Sequence, residues 1–509
     1  ALLTSWERDQ IILIVLYRVT LHPLAKYPGP FLAKVTDAYA GFQALARRTH
    51  TNIWLNHERY GSVIRNNPDR LLFNTVTAFQ DIYQNSRVTK SHVYVASRLG
   101  GNPSIFSTLD RELHRQKRQI MGQPINDRSM RIFEPTMSQQ IGVFLRLLRQ
   151  GSQASEPQNM TERCQRLGFD TVGHLAFGCD LKLQTEEANR VMIRLLTVAK
   201  MRVNAFMHLP ALQSLDFILT SLPSKDGKEF RRIITNIVNT RIAEGERGQH
   251  DLYAVMAEHT KPGGIYDGIL WSEAVFFMTA GGTPPAATLS ALFFYLSRYP
   301  ACYEKLAQEI RSQFSSSSDI HGGPTLAACK YMRACIDESL RMAPPSLATL
   351  WREQAADDPQ RGTAPLIIDG HVIPPGAQFG VNLYALHHNE DYFPDAFTFD
   401  PERWLDDSED DESGGKPRQA FAPFIAGPRT CAGRAMAYLE VSLTMAKTLW
   451  YFDFNRAPGP LGEVGQGTKG VEKGFANVNE FQLFDMFNAN HHGPYLVFRS
   501  RGDCCNELD

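Results

Sequence analysis

The chain has 509 residues, of which 53 are basic and 54 are acidic, and its formal net charge at pH 7 is −1. A chain of this length can bury a large core, and its balanced charge excludes the overall positive field that draws proteins onto nucleic acid. The eight cysteines lack the close paired spacings of zinc ribbons and disulfide frameworks. We therefore expect no nucleic-acid partner, and mostly reduced thiols in a protein that faces the cytosol.

The N-terminal segment, residues 1–26, contains an apolar run from Ile11 to Tyr17 that stops at Arg18. About 20 apolar residues are needed to span a bilayer, so this run is too short to cross one by itself. We interpret residues 1–26 as a membrane-proximal segment and linker, either a surface contact or the remainder of a trimmed anchor. A short buried segment is the alternative. Residues 27–509, which begin with the stiff stretch "YPGP", are predicted to form one large domain.

Helical periodicity dominates the chain from about residue 105 to residue 350. Strand signals follow it, because Asp369-Gly370 is a tight-turn signature between short apolar runs, and Phe379, Val381 and Leu383 alternate with other residues. The predicted fold class is therefore mainly α with small β-sheets.

One predicted helix carries an unusual pair of residues. The stretch "FFMTAGGTPPAATLSALFFYLSRYP", residues 276–300, is apolar and long, yet Pro284 and Pro285 lie in its first half. Each proline inside a helix costs about 3 kcal/mol. Neither can donate a hydrogen bond to the carbonyl four residues earlier, so the carbonyls of Ala280 and Gly281 are left free. We interpret the pair as fixing a local distortion of this helix.

Cys431 differs from the other cysteines because it lies in "FAPFIAGPRTCAGRAMAYLE", just before a predicted helix. A helix N-terminus lowers the pKa of a thiol, and the resulting thiolate can act as a nucleophile or as a metal ligand. No histidine base lies nearby in the sequence. Gly427 and Gly433 leave room for a flat macrocycle, and Arg429 offers a cation to a carboxylate on the same ligand. These features favour haem over a protease-like site.

The positions Phe424, Gly427, Arg429, Cys431 and Gly433 resemble the haem-binding signature of the cytochrome P450 superfamily. The resemblance extends from "YPGP" nearly to the C-terminus, and the N-terminal stretch is similar to microsomal enzymes of filamentous fungi. It implies one haem-thiolate catalytic domain over residues 27–509, in which Cys431 is the axial thiolate ligand of haem b.

Three further stretches are similar to motifs of the same family. "CIDESLRMAPP" and "FPDAFTFDPERW" imply a charged triad that supports the cysteine loop, formed by Glu338, Arg341 and Arg403. Without the resemblance, Glu338 and Arg341 are an ordinary helix pair worth a few tenths of a kcal/mol. In "DRELHRQKRQIM", His114 and Arg118 are four residues apart and share a helix face. The resemblance implies that these two residues bind haem propionates, together with Arg352.

By the same resemblance, residues 276–300 pass over the distal face of the haem. The family has an acid and an alcohol there that organise water and deliver protons during dioxygen activation. In this chain, Thr283 stands at the acid position and Pro284 at the alcohol position. We expect either altered proton delivery, in which Thr283 orients a water, or a non-hydroxylating oxidation such as cyclisation, coupling, desaturation or epoxidation. A proline pair without chemical consequence is a further interpretation.

The resemblance implies an oxidoreductase that uses dioxygen and electrons from an NADPH-cytochrome reductase. We expect its substrate to be a medium-sized hydrophobic secondary metabolite, bound by a pocket of Phe276, Phe277, Ala280, Gly281 and Thr283. A reductase-independent rearrangement or dehydration of an oxygenated substrate is the alternative. A haem-based sensor or carrier is the alternative from another class.

The expected partners follow from charge and from the resemblance. An acidic reductase would dock electrostatically on a basic set on the proximal side. This set comprises Arg111, Arg115, Lys117, Arg118 and Arg434. We expect a monomer that contacts the endoplasmic reticulum membrane through its N-terminal segment, with the catalytic domain facing the cytosol.

Overall fold

Helices form most of the molecule, which confirms the mainly α prediction. The computed structural model describes residues 5–98, 102–122, 127–213, 225–244, 270–405 and 415–508. Its α-helices, in chain order, are α1 (Ser5–Leu16), α2 (Phe31–Val35), α3 (Ala38–Leu45), α4 (Thr49–Tyr60), α5 (Val76–Tyr83), α6 (Arg111–Gly122), α7 (Asp127–Gln153), α8 (Met160–Phe177), α9 (Val191–His208), α10 (Lys225–Glu244), α11 (Leu270–Leu296), α12 (Pro300–Gln313), α13 (Pro324–Ala327), α14 (Lys330–Met342), α15 (Leu383–His387), α16 (Gly415–Ala420) and α17 (Arg434–Tyr451).

The strands are short and lie in small sheets. They are β1 (Val63–Asn67), β2 (Arg70–Phe73), β3 (Val88–Lys90), β4 (Gln158–Asn159), β5 (Arg352–Gln354), β6 (Leu366–Ile368), β7 (His371–Ile373), β8 (Gln378–Val381), β9 (Phe452–Arg456), β10 (Leu483–Met486), β11 (Asn488–His491) and β12 (Tyr495–Ser500). The largest sheet has the order β1-β2-β8-β5-β3, with β2 and β8 parallel and the other neighbours antiparallel. Two strand pairs, β6-β7 and β10-β11, and a three-stranded sheet, β4-β12-β9, complete the set.

The predicted tight turn is confirmed at the β6-β7 hairpin. Asp369 and Gly370 both have positive φ angles, 47° and 73°, as the two central residues of a hairpin turn of the I′ kind require. The predicted alternation beyond it extends too far. Strand β8 ends at Val381, and Leu383 is the first residue of helix α15 because the Asn382 side chain caps that helix by accepting from the N–H of Ala385.

Helix α11, which contains the proline pair, packs closely against α8. A Cβ added at Gly281 would lie 2.4 Å from a methyl carbon of Val172, and one at Gly168 would lie 2.5 Å from the carbonyl oxygen of Gly282. Larger residues would therefore push the two helices apart. Both prolines lie inside α11, which is helical from Leu270 to Leu296. A local bend at the prolines stays a prediction.

The N-terminal apolar run lies on helix α1 and faces outwards. Ile11, Ile12, Leu13 and Ile14 are between 48% and 65% exposed, so the interpretation of this run as a buried segment is wrong. Among the described residues, no helix combines the length and the apolar character that crossing a bilayer requires.

Candidate active site

A tight loop holds Cys431 between a 3-10 turn, Gly427–Arg429, and helix α17. The N–H of Cys431 donates to the carbonyl of Phe424 at 2.9 Å. The hydroxyl of Thr430 donates to the carbonyls of Phe424 and Ile425 at 3.2 and 3.1 Å. These bonds fold the segment back on itself, so the direction of the thiol is fixed by backbone contacts rather than by side-chain packing alone.

The two glycines of this loop serve different purposes. A Cβ at Gly427, where φ is 72°, would lie 2.1 Å from the carbonyl oxygen of Tyr83. Gly427 is therefore required by the backbone conformation and by contact with α5, and its role in making room for a macrocycle stays a prediction. At Gly433, a Cβ would have no atom of the described residues within 4 Å apart from its own chain neighbours, and the Gly433 N–H bonds to Cys431. Open space beside the thiol is thus at Gly433.

The environment of the Cys431 thiol favours metal ligation over free nucleophilicity. Cys431 is an exposed residue, yet the atoms crowded around its sulfur desolvate the thiol and raise its pKa, while the N–H of Gly433 and the charges of Arg118 and Arg434 act to lower it. The expected net lowering of the pKa is wrong because desolvation outweighs these charges, and α17 begins only at Arg434. A bound metal cation removes the proton of a ligating thiol outright. A metal ligand is therefore the role that this environment supports.

Basic side chains converge beside the cysteine loop, and burial together with the neighbouring positive charges lowers the pKa values of two of them. The pKa of His114 is lowered to about 2 by burial and by the charges of Lys90, Arg429, Arg118 and Arg352. The pKa of Lys90 is lowered well below its ordinary value by burial, Arg429 and Arg352. Such a concentration of positive charge is stabilised by an anion. The donor set therefore fits a ligand that carries carboxylates, as haem does.

Backbone carbonyls hold several of these cations in position. Arg352 donates from Nη1 to the hydroxyl of Tyr94 at 3.2 Å and to two nearby carbonyls, and Arg429 donates to the carbonyl of Thr108 at 3.0 Å. Lys90 donates to the carbonyl of Phe106 at 2.6 Å. Sequence reasoning missed Lys90. Its signal was weak, since it is one lysine at the end of the short strand β3.

The three residues expected to form a triad lie in contact. Arg341 donates from Nε and Nη2 to the carboxylate of Glu338 at 2.9 and 2.8 Å, and both side chains are fully buried. Arg403 donates to the same carboxylate at 3.1 Å, as does Trp404 at 2.9 Å. Burial alone would raise the pKa of Glu338, but the guanidinium groups of Arg341 and Arg403 bring it below its ordinary value.

A hydrogen-bond chain connects this triad to the segment before the cysteine loop. Arg341 also donates to the carbonyl of His387 at 2.8 Å, and Nε2 of His387 accepts from the N–H of Ala422 at 3.1 Å. Burial lowers the pKa of His387 to about 3, so its ring is neutral and Nε2 is available as an acceptor. Through the carbonyl and the ring of His387, the triad is therefore linked to Ala422, which precedes the cysteine loop.

Aromatic rings from three parts of the chain meet on α11. Phe276 stacks on Phe106 with ring centroids 5.6 Å apart, and Phe487 contacts Phe106 edge-on at 5.4 Å. All three are half-buried, and so is Ala280, which is one turn along α11 from Phe276. This face of α11 fits the wall of an apolar pocket.

Two residues predicted for the pocket take part in helix packing. Phe277 is only 9% exposed and belongs to the hydrophobic cluster shared with α8, α9 and α10, because it is one position away from the face of Phe276. An added Cβ at Gly281 would meet Val172 on α8, so its small size serves helix packing. Phe277 is therefore buried away from the Phe276 face, whereas Gly281 is half-buried and its place in the pocket stays a prediction.

Thr283, at the position of the missing acid, is buried and contacts a residue that sequence reasoning missed. Its hydroxyl oxygen accepts a hydrogen bond from Nζ of Lys200 at 3.2 Å. Lys200 is the one lysine of helix α9, in the segment "VMIRLLTVAKMRVNAFMH". A lone lysine between apolar residues was a signal, but the partner lies 83 residues away in the sequence.

Side chains of helix α6 interact with both α11 and the cysteine loop. Lys117 forms an ion pair of 2.9 Å with Glu273 on α11, and both side chains are fully buried. The expectation that Lys117 belongs to a reductase-docking surface is therefore wrong. The next residue, Arg118, interacts electrostatically with Cys431. Of the other members of that set, Arg115 and Arg434 are exposed, whereas Arg111 is half-buried.

Comparisons with known proteins agree with this geometry. The family model described as Cytochrome P450 matches residues 42–462. The chain is 33% identical to the Gibberella fujikuroi protein named cytochrome P450 monooxygenase apf7, with 96% of each chain covered. It is 35% identical to the monooxygenase poxM of Penicillium oxalicum, over 96% of this chain and 92% of that one. It is 31% identical to AKT7 of Alternaria alternata, over 96% and 94%. The chain therefore belongs to the cytochrome P450 family of haem-thiolate monooxygenases.

Proposed function

We propose that this chain oxidises a medium-sized hydrophobic secondary metabolite, using dioxygen and electrons from an NADPH-dependent reductase. The observation that carries the proposal is the convergence of Cys431 with the cluster of Lys90, His114, Arg118, Arg352 and Arg429. A thiol ligand and basic side chains that donate hydrogen bonds to carboxylates are the two kinds of group that haem b needs. The monooxygenase names of the fungal relatives support the reaction class.

The roles of individual residues follow from their contacts. Cys431 would ligate the haem iron, and bound haem supplies the redox chemistry, to which a thiolate ligand contributes electron density. Arg352, Arg429, His114 and Arg118 would hold the haem carboxylates. Gly433 leaves space beside the sulfur. The triad of Glu338, Arg341 and Arg403 would keep the loop in place.

On the distal side, Phe106, Phe276 and Phe487 would exclude water and orient an apolar substrate. Thr283 would orient a water that the carbonyls of Ala280 and Gly281 also bind. Proton delivery would then differ from that of relatives with an acid and an alcohol, which favours cyclisation, coupling, desaturation or epoxidation beside hydroxylation. The proline pair in α11 also supports a second candidate, a rearrangement or dehydration that needs neither reductase nor dioxygen.

Partners and location are assigned from the surface. An acidic reductase would dock on Arg434, which is exposed at the start of α17 beside the cysteine loop, and on Arg115, which is exposed on α6 and pairs there with Glu112. The exposed apolar residues of α1 would contact the endoplasmic reticulum membrane, with residues 27–509 as a monomeric catalytic domain in the cytosol.

Two measurements test the proposal. The first is the absorption spectrum of the reduced, carbon monoxide-bound protein, which should show the Soret shift of thiolate ligation. Cys431→Ala should abolish it, whereas Cys302→Ala, which alters a half-buried thiol on α12, should not. A shift that survives in Cys431→Ala excludes Cys431 as the ligand.

The second measurement is NADPH and dioxygen consumption with a reductase and candidate metabolites, with isotopic analysis of the product. Turnover without reductase or dioxygen would establish the second candidate instead.

A further inference from the structure

The side chain of Lys200 turns inwards, so its nitrogen contacts α11. Nζ of Lys200 donates to Oγ1 of Thr283 at 3.2 Å. The other two threonines of α11 bond to their own helix: Thr279 donates to the carbonyl of Val275 at 2.9 Å, and Thr288 donates to the carbonyl of Pro284 at 3.0 Å. Thr283 accepts from Lys200 instead, so its own O–H proton can be donated to a further acceptor.

A second contact fixes the face of α9 that carries Lys200. Asn204, four residues later and thus on the same face, donates from Nδ2 to the Asp485 carboxylate at 3.1 Å. Asp485 lies on β10 and also accepts from the N–H of Phe487, a member of the aromatic pocket wall. The position of Lys200 is therefore tied to the same turn that supplies the pocket wall.

No carboxylate among the described residues forms an ion pair with Lys200 at 4.0 Å or less. Burial lowers the pKa of Lys200 to about 8. The ammonium form therefore predominates at pH 7, yet it gives up its proton far more readily than an exposed lysine. A group whose pKa lies near the operating pH is well suited to transfer protons.

Pro284 and Pro285 add acceptors at the same place. Because these residues have no N–H, the carbonyls of Ala280 and Gly281 receive no helical hydrogen bond from them. A water bound to these carbonyls can accept the proton that Thr283 does not use within its helix. The Lys200 ammonium group, the Thr283 hydroxyl and the two free carbonyls thus form one polar path across an otherwise apolar helix.

We propose that Lys200 is the proton source of the distal side, acting through Thr283 in place of the acid that this helix lacks; the inference rests on the proposed function. In the transfer, an Nζ–H bond of Lys200 breaks as an O–H bond forms on Thr283. The original O–H bond of Thr283 breaks as the water gains a proton, so that the water could in turn donate one of its protons on the pocket side of α11. Solvent then reprotonates the amine, and no electrons are exchanged.

Other ionisable groups lie around α9, among them His92, whose pKa is raised by its hydrogen bond to Glu353, and substitution of Lys200 distinguishes this residue from them. Burial lowers the pKa of His491 on β11 to about 3, and the charge of Lys200 contributes to this lowering. Burial raises the pKa of Asp485 to about 6. His92 is exposed and bonds to Glu353. Further groups on elements packed against α9 are Tyr39 on α3, Tyr94 on the 3-10 turn His92–Ser97, and several on α10: Lys225, Lys228, Arg231, Arg241, and the ion pair of Glu229 with Arg232.

The test uses carbon monoxide bound to the reduced holoenzyme and reads the infrared C–O stretching band. A cation near the bound molecule shifts this band, so the wild type should show a pH transition with a midpoint near 8. Lys200→Met and Lys200→Gln should lose the transition, whereas Lys200→Arg should keep the low-pH band position at every pH. Lys473→Gln, which changes an exposed lysine paired with Glu58, is the control and should titrate as the wild type does.

A second readout follows Lys200 itself. The rate at which acetic anhydride modifies Lys200, measured by peptide mass spectrometry across pH, should give the same midpoint. If Lys200 had only a structural role, its modification rate and the infrared band would not share a midpoint. A pH-independent band in the wild type, or an unchanged transition in Lys200→Met, overturns the inference. Failure of the proposed function is distinguishable, because it removes the thiolate Soret band at every pH.

Discussion

Glu338 is a carboxylate on which three side-chain donors converge, and its charge holds two buried or largely buried guanidinium groups. We expect Glu338→Gln to lower the free energy of unfolding by about 3–5 kcal/mol, because it leaves Arg341 and Arg403 without a counter-charge in the interior. Urea denaturation of the holoenzyme measures the change. The thiolate Soret band should weaken at lower urea concentration than in the wild type, since the triad connects to the cysteine loop.

Glu402→Gln is the matched control, since Glu402 pairs with Lys305 at the surface and each side chain is about half exposed. Its cost should stay below about 1 kcal/mol. The pKa of Glu338 is below its ordinary value of 4.5 in the folded state, so the stability it contributes is present above pH 4.5 and is lost as pH falls through the folded value. The difference between wild type and Glu338→Gln should therefore shrink below pH 4.5. A difference that is constant with pH would contradict the assignment.

At the scale of residues, local motifs were predictable and long-range pairs were not. Cys431 and the spacing of Glu338 and Arg341 are visible in short stretches of sequence. Lys200 needs a partner 83 residues away, and the pKa of Cys431 depends on desolvation around the thiol and on the charge of Arg118, which is distant in the sequence. Desolvation and tertiary contact have no local signature, which is why these features required the structure.

At the scale of elements, helix α11 offers a direct test of its proline pair. We expect Pro284→Ala to raise the free energy of unfolding by up to about 3 kcal/mol, because alanine restores an N–H that can bond to the carbonyl of Ala280. The same change occupies one acceptor of the distal polar path. Product yield per NADPH consumed should therefore fall while thermal stability increases, as measured by coupling assays and calorimetry.

Pro300→Ala provides the control, because Pro300 opens α12, where the missing N–H has no helical acceptor in any case. It should leave both stability and coupling close to those of the wild type. Unchanged coupling in Pro284→Ala, even with a gain in stability, would show that Pro284 has no chemical consequence.

Element patterns in the sequence were informative where one periodicity applied throughout. The β6-β7 turn was correctly predicted from Asp369-Gly370, but Leu383 was placed in a strand that had already ended. The burial of Lys117 could have been predicted from helical spacing. It is three residues after His114, so the spacing that buries His114 also buries Lys117, and its charge is met by Glu273 from α11. Sequence spacing indicated the face, but the identity of the partner required the fold.

At the scale of the whole molecule, exposed apolar side chains gather on the N-terminal elements. Those exposed by about half or more include Leu13 on α1, Leu21 after it, Phe31 and Leu32 on α2, and Phe42 on α3. The elements are neighbours, since the π-helical turn Tyr17–Leu21 packs on α2 and α2 packs on α3. A contiguous apolar surface of this kind is typical of a membrane contact.

We expect a variant with Phe31→Ser, Leu32→Ser and Phe42→Ser to bind neutral phosphatidylcholine vesicles at least tenfold more weakly than the wild type, because less apolar surface leaves water on binding. Co-sedimentation measures this, and added salt should change it little, since the contact is apolar. The control removes two apolar side chains from another surface, Ile367→Ser with Val372→Ser on the β6-β7 hairpin, each 51% exposed. Equal vesicle binding by the two variants would exclude this N-terminal surface as a membrane contact, and strong salt dependence would assign the vesicle binding to charge rather than to the apolar surface.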